Sequence, residues 1–262
     1  MLNCKQILLE IANVNCEVKT EDEKNIPDLF SKIKYERLAQ DLREKNFQKF
    51  SDLLKIEEEF LLEQIELDKG IGKNQLLKEN LFLLFLAVVT KIPLIIVGKP
   101  GTGKSLSAQL IYNSMRGQYS KPKDGKKSFF TKYPQINQTY FQGSESTIPE
   151  DVEELFKKTE DTYNIYKKNK KKDDLVPIYM ILFDELGLAE KSPSNPLKVL
   201  HSKLGCGGET EGTCFIGISN YSLDAAKVNR ALNLSVPNLE DKLDQLKSTA
   251  KSIIESFSDD IY

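Results

Sequence analysis

The chain has 262 residues, of which 40% are hydrophobic and 29% are charged, and its formal net charge is -2. These values are typical of a globular protein with one large domain, or one domain and a partial neighbour, and they exclude a disordered chain. The weak net charge gives no field that would favour nucleic acid or a membrane surface. The longest apolar run, Leu81–Val89, is far shorter than the roughly 20 residues that a membrane-spanning helix needs.

The first segment, residues 1–69, is predicted to be an N-terminal helical segment. From about Ile26 to Leu67 apolar residues recur at three- and four-residue spacing, and Gly and Pro are almost absent. The stretch DKGIGKNQ, Asp68–Gln75, then breaks the pattern. The segment is either a partner-binding arm or the end of a preceding module.

The second segment, residues 70–237, alternates short apolar runs with helical patterns. The runs are PLIIVG, QTYFQG, IYMILFDE, CFIGISN and LNLSV. Strands that alternate with helices predict a parallel sheet with helices on both faces. The third segment, residues 238–262, is predicted to contain one amphipathic helix, Leu239–Phe257.

A phosphate-binding motif follows the first strand of the second segment. The stretch GKPGTGKS matches G-x-x-x-x-G-K-[ST], with an apolar strand before it and a helical pattern after it. In such a loop, backbone N–H groups and the helix N-terminus bind a phosphate, the lysine reaches the β- and γ-phosphates, and the Ser105 hydroxyl ligates Mg²⁺. A chance glycine-rich turn is the alternative. The predicted ATP-binding residues are Gly98, Lys99, Pro100, Gly101, Thr102, Gly103, Lys104, Ser105 and Leu106.

Two adjacent carboxylates follow the apolar strand Ile178–Phe183, about 80 residues after Lys104. The carboxyl ends of parallel strands meet at one edge of an open sheet, so these groups should lie beside the phosphate loop. We expect Asp184 to hold Mg²⁺ and Glu185 to act as the base that activates water.

The next strand candidate, CFIGISN, ends in Ser219 and Asn220 at the same edge of the predicted sheet. The Asn220 amide is a candidate hydrogen-bond donor to the attacking water or to the γ-phosphate. The alternative is an asparagine that only forms the turn before Tyr221.

Together these stretches resemble an AAA+ ATPase module. KIPLIIVGKPGTGKSL, DELGLAEKSPSNPLKVLH and FIGISNYSLDAAKVNRA resemble, more narrowly, the AAA+ modules of the mysterin family of giant ring-finger ubiquitin ligases, which have dynein-like tandem modules. The resemblance covers roughly Gly70 to Leu239. It implies a P-loop AAA+ core with a five-stranded parallel sheet flanked by helices, an N-terminal helical segment and a truncated helical lid.

The resemblance also implies individual roles. Lys104 and Ser105 would be Walker A residues, Asp184 and Glu185 would be Walker B residues, and Asn220 would be sensor 1. Arg230 stands where AAA+ proteins carry an arginine finger that reaches a neighbouring module. The alternative for Arg230 is an exposed arginine at a helix end.

The single histidine, His201, lies in NPLKVLHSKL, which predicts one helix with Asn195 as its N-cap and Pro196 in its first turn. Leu197, Leu200, His201 and Leu204 would share one face of that helix, so packing is favoured over a catalytic role.

The four cysteines form no C-x-x-C pair and do not suggest a secreted disulfide framework. Neither a zinc finger nor a ubiquitin-transfer site can be assembled from them and one histidine. No signal peptide opens the chain, and we expect a cytoplasmic protein. Its cysteines are Cys4, Cys16, Cys206 and Cys214.

Two functions remain open from the sequence. The first is Mg²⁺-dependent ATP hydrolysis coupled to movement between AAA+ modules, which Glu185 favours because a module that only binds ATP needs no base. The second is an ATP-binding interaction module without turnover. In either case the chain could be part of a larger ubiquitin ligase. Its expected partners are neighbouring AAA+ modules and ubiquitin-pathway proteins. We expect neither a nucleic-acid partner nor a membrane span.

Overall fold

A computed structural model describes residues 47–121, 127–169, 176–204, 213–237 and 243–258. The predicted elements and cysteines before residue 47, together with Cys206, lie outside these ranges. The strands are β1 (Leu94–Val97), β2 (Ile136–Gln142), β3 (Ile178–Asp184), β4 (Thr213–Ser219) and β5 (Leu232–Ser235). The described helices are α1 (Phe47–Gln64), α2 (Gln75–Thr90), α3 (Lys104–Ser114), α4 (Pro149–Asn169), α5 (Leu186–Glu190), α6 (Val199–Lys203), α7 (Ala225–Val228) and α8 (Leu243–Ser258). Short 3₁₀ turns lie at Gly117–Tyr119, Phe129–Lys132 and Pro196–Lys198.

The five strands form one parallel sheet in the order β2-β3-β4-β1-β5. This confirms the predicted five-stranded parallel sheet flanked by helices. The three central strands are buried almost throughout. They can be apolar at consecutive positions because helices cover both faces of the sheet.

Two apolar cores lie on opposite faces of the sheet, and alternate residues of β1 divide between them. Ile96 belongs to one core, which also contains Phe82 of α2 and Ile111 of α3. Ile95 belongs to the other core, which contains Phe156 of α4. This alternation is the two-residue period of a strand, and it fixes the register of the sheet.

Helix α1 shares a core with α2 and the sheet. Its Leu61 and Leu62 are buried in the same cluster as Phe82 and Phe85. The predicted division between residues 69 and 70 therefore falls in a loop between two helices that pack together.

Helix α8 contacts the loop before α2. The Lys73 backbone N–H donates to Ser252 Oγ over 2.9 Å, and Asn74 Nδ2 donates to Thr249 Oγ1 over 3.1 Å. A Cβ at Gly72 would lie 2.7 Å from the Thr249 methyl group. The predicted C-terminal helix, Leu239–Phe257, is present as Leu243–Ser258, and residues 239–242 lie outside the described ranges. Its assignment to a lid remains a prediction.

The sheet register aligns the carboxyl ends of the central strands. Val97 pairs with Ser219, and Phe183 pairs with Gly217. The loops that follow β1, β3 and β4 therefore leave the sheet at one edge. Among the described helices, none is both long and apolar enough to cross a membrane.

Candidate functional site

The loop between β1 and α3 adopts positive φ angles at two of its glycines. Gly101 and Gly103 have φ angles of 81° and 78°, which favour glycine because a side chain is strained there. The Gly98 N–H donates to the Ser219 carbonyl over 3.1 Å, so the loop is joined to the end of β4. A Cβ at Gly98 would lie 2.9 Å from the Cβ of Val236, and only glycine fits without a shift.

The Lys104 ammonium group lies inside the loop. Its Nζ donates to the carbonyl oxygens of Gly98 and Lys99 over 2.7 and 2.9 Å, and the residue is 4% exposed. Burial lowers the pKa of Lys104, and the nearby carboxylates of Asp184 and Glu185 partly oppose that shift. The ammonium group of Lys104 therefore lies within the loop, near the carboxylates of Asp184 and Glu185.

A cleft of about 330 Å³ opens above the start of α3. Its size falls within the range of small-molecule sites. Helix α3 begins at Lys104, so its unpaired N–H groups and the positive end of its dipole lie at this cleft. The lining residues are Pro100, Gly101, Gly103, Lys104, Ser105, Leu106 and Asn220. The arrangement suits an anionic ligand such as a phosphate group.

Ser105 and Asp184 come together although they are far apart in the sequence. The Ser105 hydroxyl donates to Asp184 Oδ2 over 3.4 Å, and Asp184 Oδ1 accepts the Glu185 N–H over 2.9 Å. A hydroxyl oxygen next to a carboxylate is a donor set that fits Mg²⁺, which usually takes one or two protein carboxylates and completes its shell with water and phosphate oxygens. Across the described ranges, no cluster of three or more His, Cys, Asp or Glu forms a separate metal site.

Glu185 has a left-handed backbone, with φ 53° and ψ 40°. Its Oε1 accepts a hydrogen bond from Asn220 Nδ2 over 2.9 Å. Asn220 comes directly after β4, as expected of a turn-forming residue. It also contacts the carboxylate expected to act as the base. Such a backbone is uncommon for a residue other than glycine and often occurs at functional sites.

Gly143 packs against this turn and was not identified from the sequence. Its N–H donates to the Asp184 carbonyl over 2.8 Å, and a Cβ would lie 2.8 Å from the Glu185 carbonyl oxygen. The available signal was a glycine immediately after the β2 run, at the same edge of the sheet as Asp184.

Ser219 fixes the backbone on either side of Asn220. Its hydroxyl donates to the Tyr221 carbonyl over 2.6 Å and accepts the Tyr221 N–H over 3.1 Å. A Cβ at Gly187 would lie 2.6 Å from Ser219 Oγ, so α5 approaches this turn closely. Sequence analysis placed Ser219 at this edge but did not predict its contacts.

Arg230 and His201 are associated with each other and not with the cleft. Arg230 Nη1 donates to the His201 carbonyl oxygen, and neither residue lines the cleft. His201 is half-buried on α6, beside buried Leu200. This position agrees with the packing interpretation of His201.

Asn195 precedes the helical segment and Pro196 lies in its first turn, as predicted, but the side-chain cap expected of Asn195 is not formed. Asn195 has a φ of 50° and its side chain makes no capping hydrogen bond. A 3₁₀ turn, Pro196–Lys198, comes first and α6 follows it. An N-cap side chain accepts a bond from the first turn when its own backbone is extended, and asparagine also tolerates the left-handed region adopted here.

The family profile described as "RNF213 AAA domain" matches residues 70–242. E3 ubiquitin-protein ligase rnf213-beta of Danio rerio is 36% identical over 206 residues, which are 76% of this chain and 4% of that protein. E3 ubiquitin-protein ligase RNF213 of Homo sapiens is 33% identical over 207 residues, which are 75% of this chain and 4% of that protein. The chain therefore spans only a small part of the length of these relatives.

Among solved structures, the ORC2 protein of Aeropyrum pernix is similar with a TM-score of 0.43 and 11% identity, over 69% of this chain and 53% of that chain. C. elegans PCH-2 is similar with a TM-score of 0.38 and 16% identity, over 64% of this chain and 45% of that chain. The family match covers most of the chain and agrees with the observed sheet and loop. This chain is an AAA+ core that belongs to the RNF213 AAA domain family.

Proposed function

We propose that this AAA+ module binds ATP with Mg²⁺ and hydrolyses it to ADP and phosphate. The observation that carries the proposal is the contact between Ser105 and Asp184, 3.4 Å apart, at the N-terminus of a helix whose first residue is the buried Lys104. This contact joins a phosphate-binding loop to a metal-binding carboxylate.

Binding of the triphosphate is assigned to the loop and Lys104. The Nζ of Lys104 now donates to carbonyl oxygens of its own loop. Phosphate oxygens are stronger acceptors because they are charged, so we expect the ammonium group to turn toward the β- and γ-phosphates when ATP binds. Backbone N–H groups between Gly101 and Leu106 would contact the phosphates, whereas Gly98 and Pro100 contribute to the shape of the loop.

The Ser105 hydroxyl and the Asp184 carboxylate would hold Mg²⁺. The ion supplies charge neutralisation at the β- and γ-phosphate oxygens when it is bound. Ser105 and Asp184 are already within hydrogen-bond distance, so little rearrangement of the chain is needed to form this part of the site.

Glu185 is proposed to accept a proton from the water that attacks the γ-phosphorus. The new oxygen–phosphorus bond forms as the bond to the β–γ bridging oxygen breaks, and ADP leaves with that electron pair. Asn220, through its hydrogen bond to Oε1, would orient the carboxylate toward the water. A positioned base is typically worth about 10²- to 10⁴-fold in rate.

Arg230 is proposed to act on the γ-phosphate of a neighbouring module. Its side chain is exposed, and its guanidinium donates to the His201 carbonyl. An arginine supplied from a neighbour can be worth about 10³-fold or more in rate. Release from the carbonyl would free its guanidinium for the neighbouring site.

The likeness to RNF213 ligases supports a place for the module in a larger ubiquitin-ligase assembly. In that setting hydrolysis would drive movement between neighbouring AAA+ modules, with ubiquitin-pathway proteins as further partners. The ubiquitin-transfer chemistry would be supplied elsewhere in the assembly. We also propose a cytoplasmic location, which the buried free thiol of Cys214 supports.

A second function is an ATP-binding scaffold module without turnover. The loop with Lys104 and the pair of Ser105 and Asp184 favour it, because they provide for ATP and Mg²⁺ without any contribution from Glu185. The two functions differ in phosphate release and not in ATP binding.

Phosphate release from wild type and Glu185→Gln therefore separates them. Hydrolysis predicts that the variant binds ATP as wild type does and releases phosphate at least about 100 times more slowly. Glu154→Gln, an exposed change on α4, is the control. Equal release rates in wild type and Glu185→Gln would exclude Glu185 as the base, and ATP binding without release in wild type would favour the scaffold function.

A further inference from the structure

Helix α2 contains one buried polar residue, Asn80. The other buried residues of α2 are all apolar, and Asn80 is 1% exposed. An amide buried in such surroundings is destabilising unless it is hydrogen-bonded. A specific partner is therefore expected for this side chain.

The partner is the phosphate loop. Asn80 Nδ2 donates to the Thr102 carbonyl oxygen over 3.2 Å, although the two residues are 22 positions apart. Thr102 is itself 4% exposed, and its hydroxyl donates to the Lys99 carbonyl over 2.9 Å. Thr102 is therefore held both by a bond within the loop and by a bond from α2.

The Thr102 carbonyl belongs to the peptide group that also carries the Gly103 N–H. In a trans peptide the C=O and N–H groups point in opposite directions. The carbonyl is directed toward buried Asn80, so the Gly103 N–H is directed away from α2. Gly103 lines the cleft, and its N–H is therefore presented on the side where a phosphate would lie.

Helix α2 is a rigid support for this contact. Phe82 and Phe85 are completely buried, and the N-cap side chain of Asn74 accepts the Leu77 N–H over 2.8 Å. A hydrogen bond from a fixed helix restricts the loop before any ligand arrives, and such preorganisation reduces the ordering required on binding.

We propose that Asn80 is a positioning residue for the phosphate loop: it holds the Thr102–Gly103 peptide so that the Gly103 N–H faces the cleft. The effect on ATP rests on the proposed function, whereas the effect on the loop backbone does not.

Asn80→Leu tests the proposal because leucine has a similar size and removes the donor. Thr159→Val is the matched control, since it removes a buried hydroxyl on α4 that donates to the Leu155 carbonyl over 2.9 Å and lies 3.2 Å from the Thr139 hydroxyl. Three properties are measured for each protein: thermal unfolding, amide hydrogen exchange of Gly101–Ser105 without nucleotide, and ATP affinity by calorimetry.

We expect Asn80→Leu to unfold somewhat below the wild-type temperature, because the buried Thr102 carbonyl loses its donor and the apolar leucine offsets only part of that cost. We also expect exchange of the loop amides to rise about 3- to 10-fold and ATP affinity to fall by a similar factor, which is the range of one hydrogen bond. Thr159→Val should leave both properties of the loop unchanged.

Wild-type loop exchange in Asn80→Leu would overturn the proposal. A rise that is equally large in β3 and β4 would also overturn it, because Asn80 would then act through global stability. If wild type fails to bind ATP, the proposed function fails, and the exchange measurement still decides the role of Asn80.

Discussion

Asn220 Nδ2 and Glu185 Oε1 are joined by a 2.9 Å hydrogen bond that connects the ends of β4 and β3. The two residues are 35 positions apart, and each follows a buried strand of the sheet. The bond places an amide donor on the carboxylate that is proposed to activate water. The orientation of that carboxylate therefore depends on the neighbouring strand as well as on its own turn.

We expect Asn220→Ala to slow phosphate release by about 10- to 100-fold, because the carboxylate loses the group that orients it. The double variant with Glu185→Gln should be no slower than Glu185→Gln alone, since both changes affect one interaction. Single-turnover phosphate release, with the protein saturating and in excess over ATP, measures this. Multiplicative effects of the two changes would show that Asn220 acts independently of Glu185.

Arg230→Ala tests catalysis between modules. In wild type we expect the rate per protomer to rise with protein concentration, because a neighbour must supply the arginine. The variant should lose this dependence and stay at the low-concentration rate. The control is Lys227→Ala, which removes a nearby cation that lies 3.8 Å from Glu190.

A wild-type rate per protomer that is independent of concentration, and equal to that of Arg230→Ala, would contradict the assignment. Arg230 would then be an exposed arginine whose contact is with the His201 carbonyl.

The sequence predicted the relative positions of residues that follow directly from the order of strands and loops along the chain. The Gly98–Gly103 loop lies between β1, with the predicted bounds Leu94–Val97, and α3. Asp184 reaches Ser105 because parallel strands bring their carboxyl ends to one edge, which the alternation of strands and helices predicts. The observed parallel sheet confirmed the fold class, and the profile match over residues 70–242 confirmed the family.

Contacts that depend on the order of the strands or on packing could not be predicted in this way. Gly143 lies against Glu185 because β2 is next to β3, and Asn80 reaches Thr102 because α2 packs beside the loop. The missing side-chain cap at Asn195 could not be predicted, because a single residue can adopt the left-handed backbone without any signal in the helical pattern that follows.

Glu58 of α1 provides a test of the packing of α1 on α2. It is 4% exposed and accepts a hydrogen bond from Gln75 Nε2 over 2.7 Å. The pKa of Glu58 is raised to about 7, because burial and the neighbouring Glu79 raise it more than the Gln75 bond, Lys78 and Lys55 lower it. The folded state therefore holds a proton that the unfolded state releases at lower pH.

This difference in pKa determines how stability changes with pH. The contribution of Glu58 to stability is fully present below the unfolded pKa of 4.5 and is lost as the pH rises to about 7. The loss amounts to about 3 kcal/mol. Glu58→Gln should therefore be more stable than wild type at pH 8, with the difference disappearing near pH 4. Urea unfolding at both pH values measures this, and an equal difference at both would show that Glu58 does not titrate in this range.

The most direct test of the central claim is ATP binding by wild type and Lys104→Ala, measured by calorimetry with and without Mg²⁺. A nucleotide site at the loop predicts binding by wild type that Mg²⁺ strengthens, and a loss of at least about 100-fold in Lys104→Ala because the charge facing the phosphates is gone. Lys157→Ala, an exposed change on α4, should bind as wild type does. Equal ATP affinity in wild type and Lys104→Ala would contradict the assignment of the phosphate site.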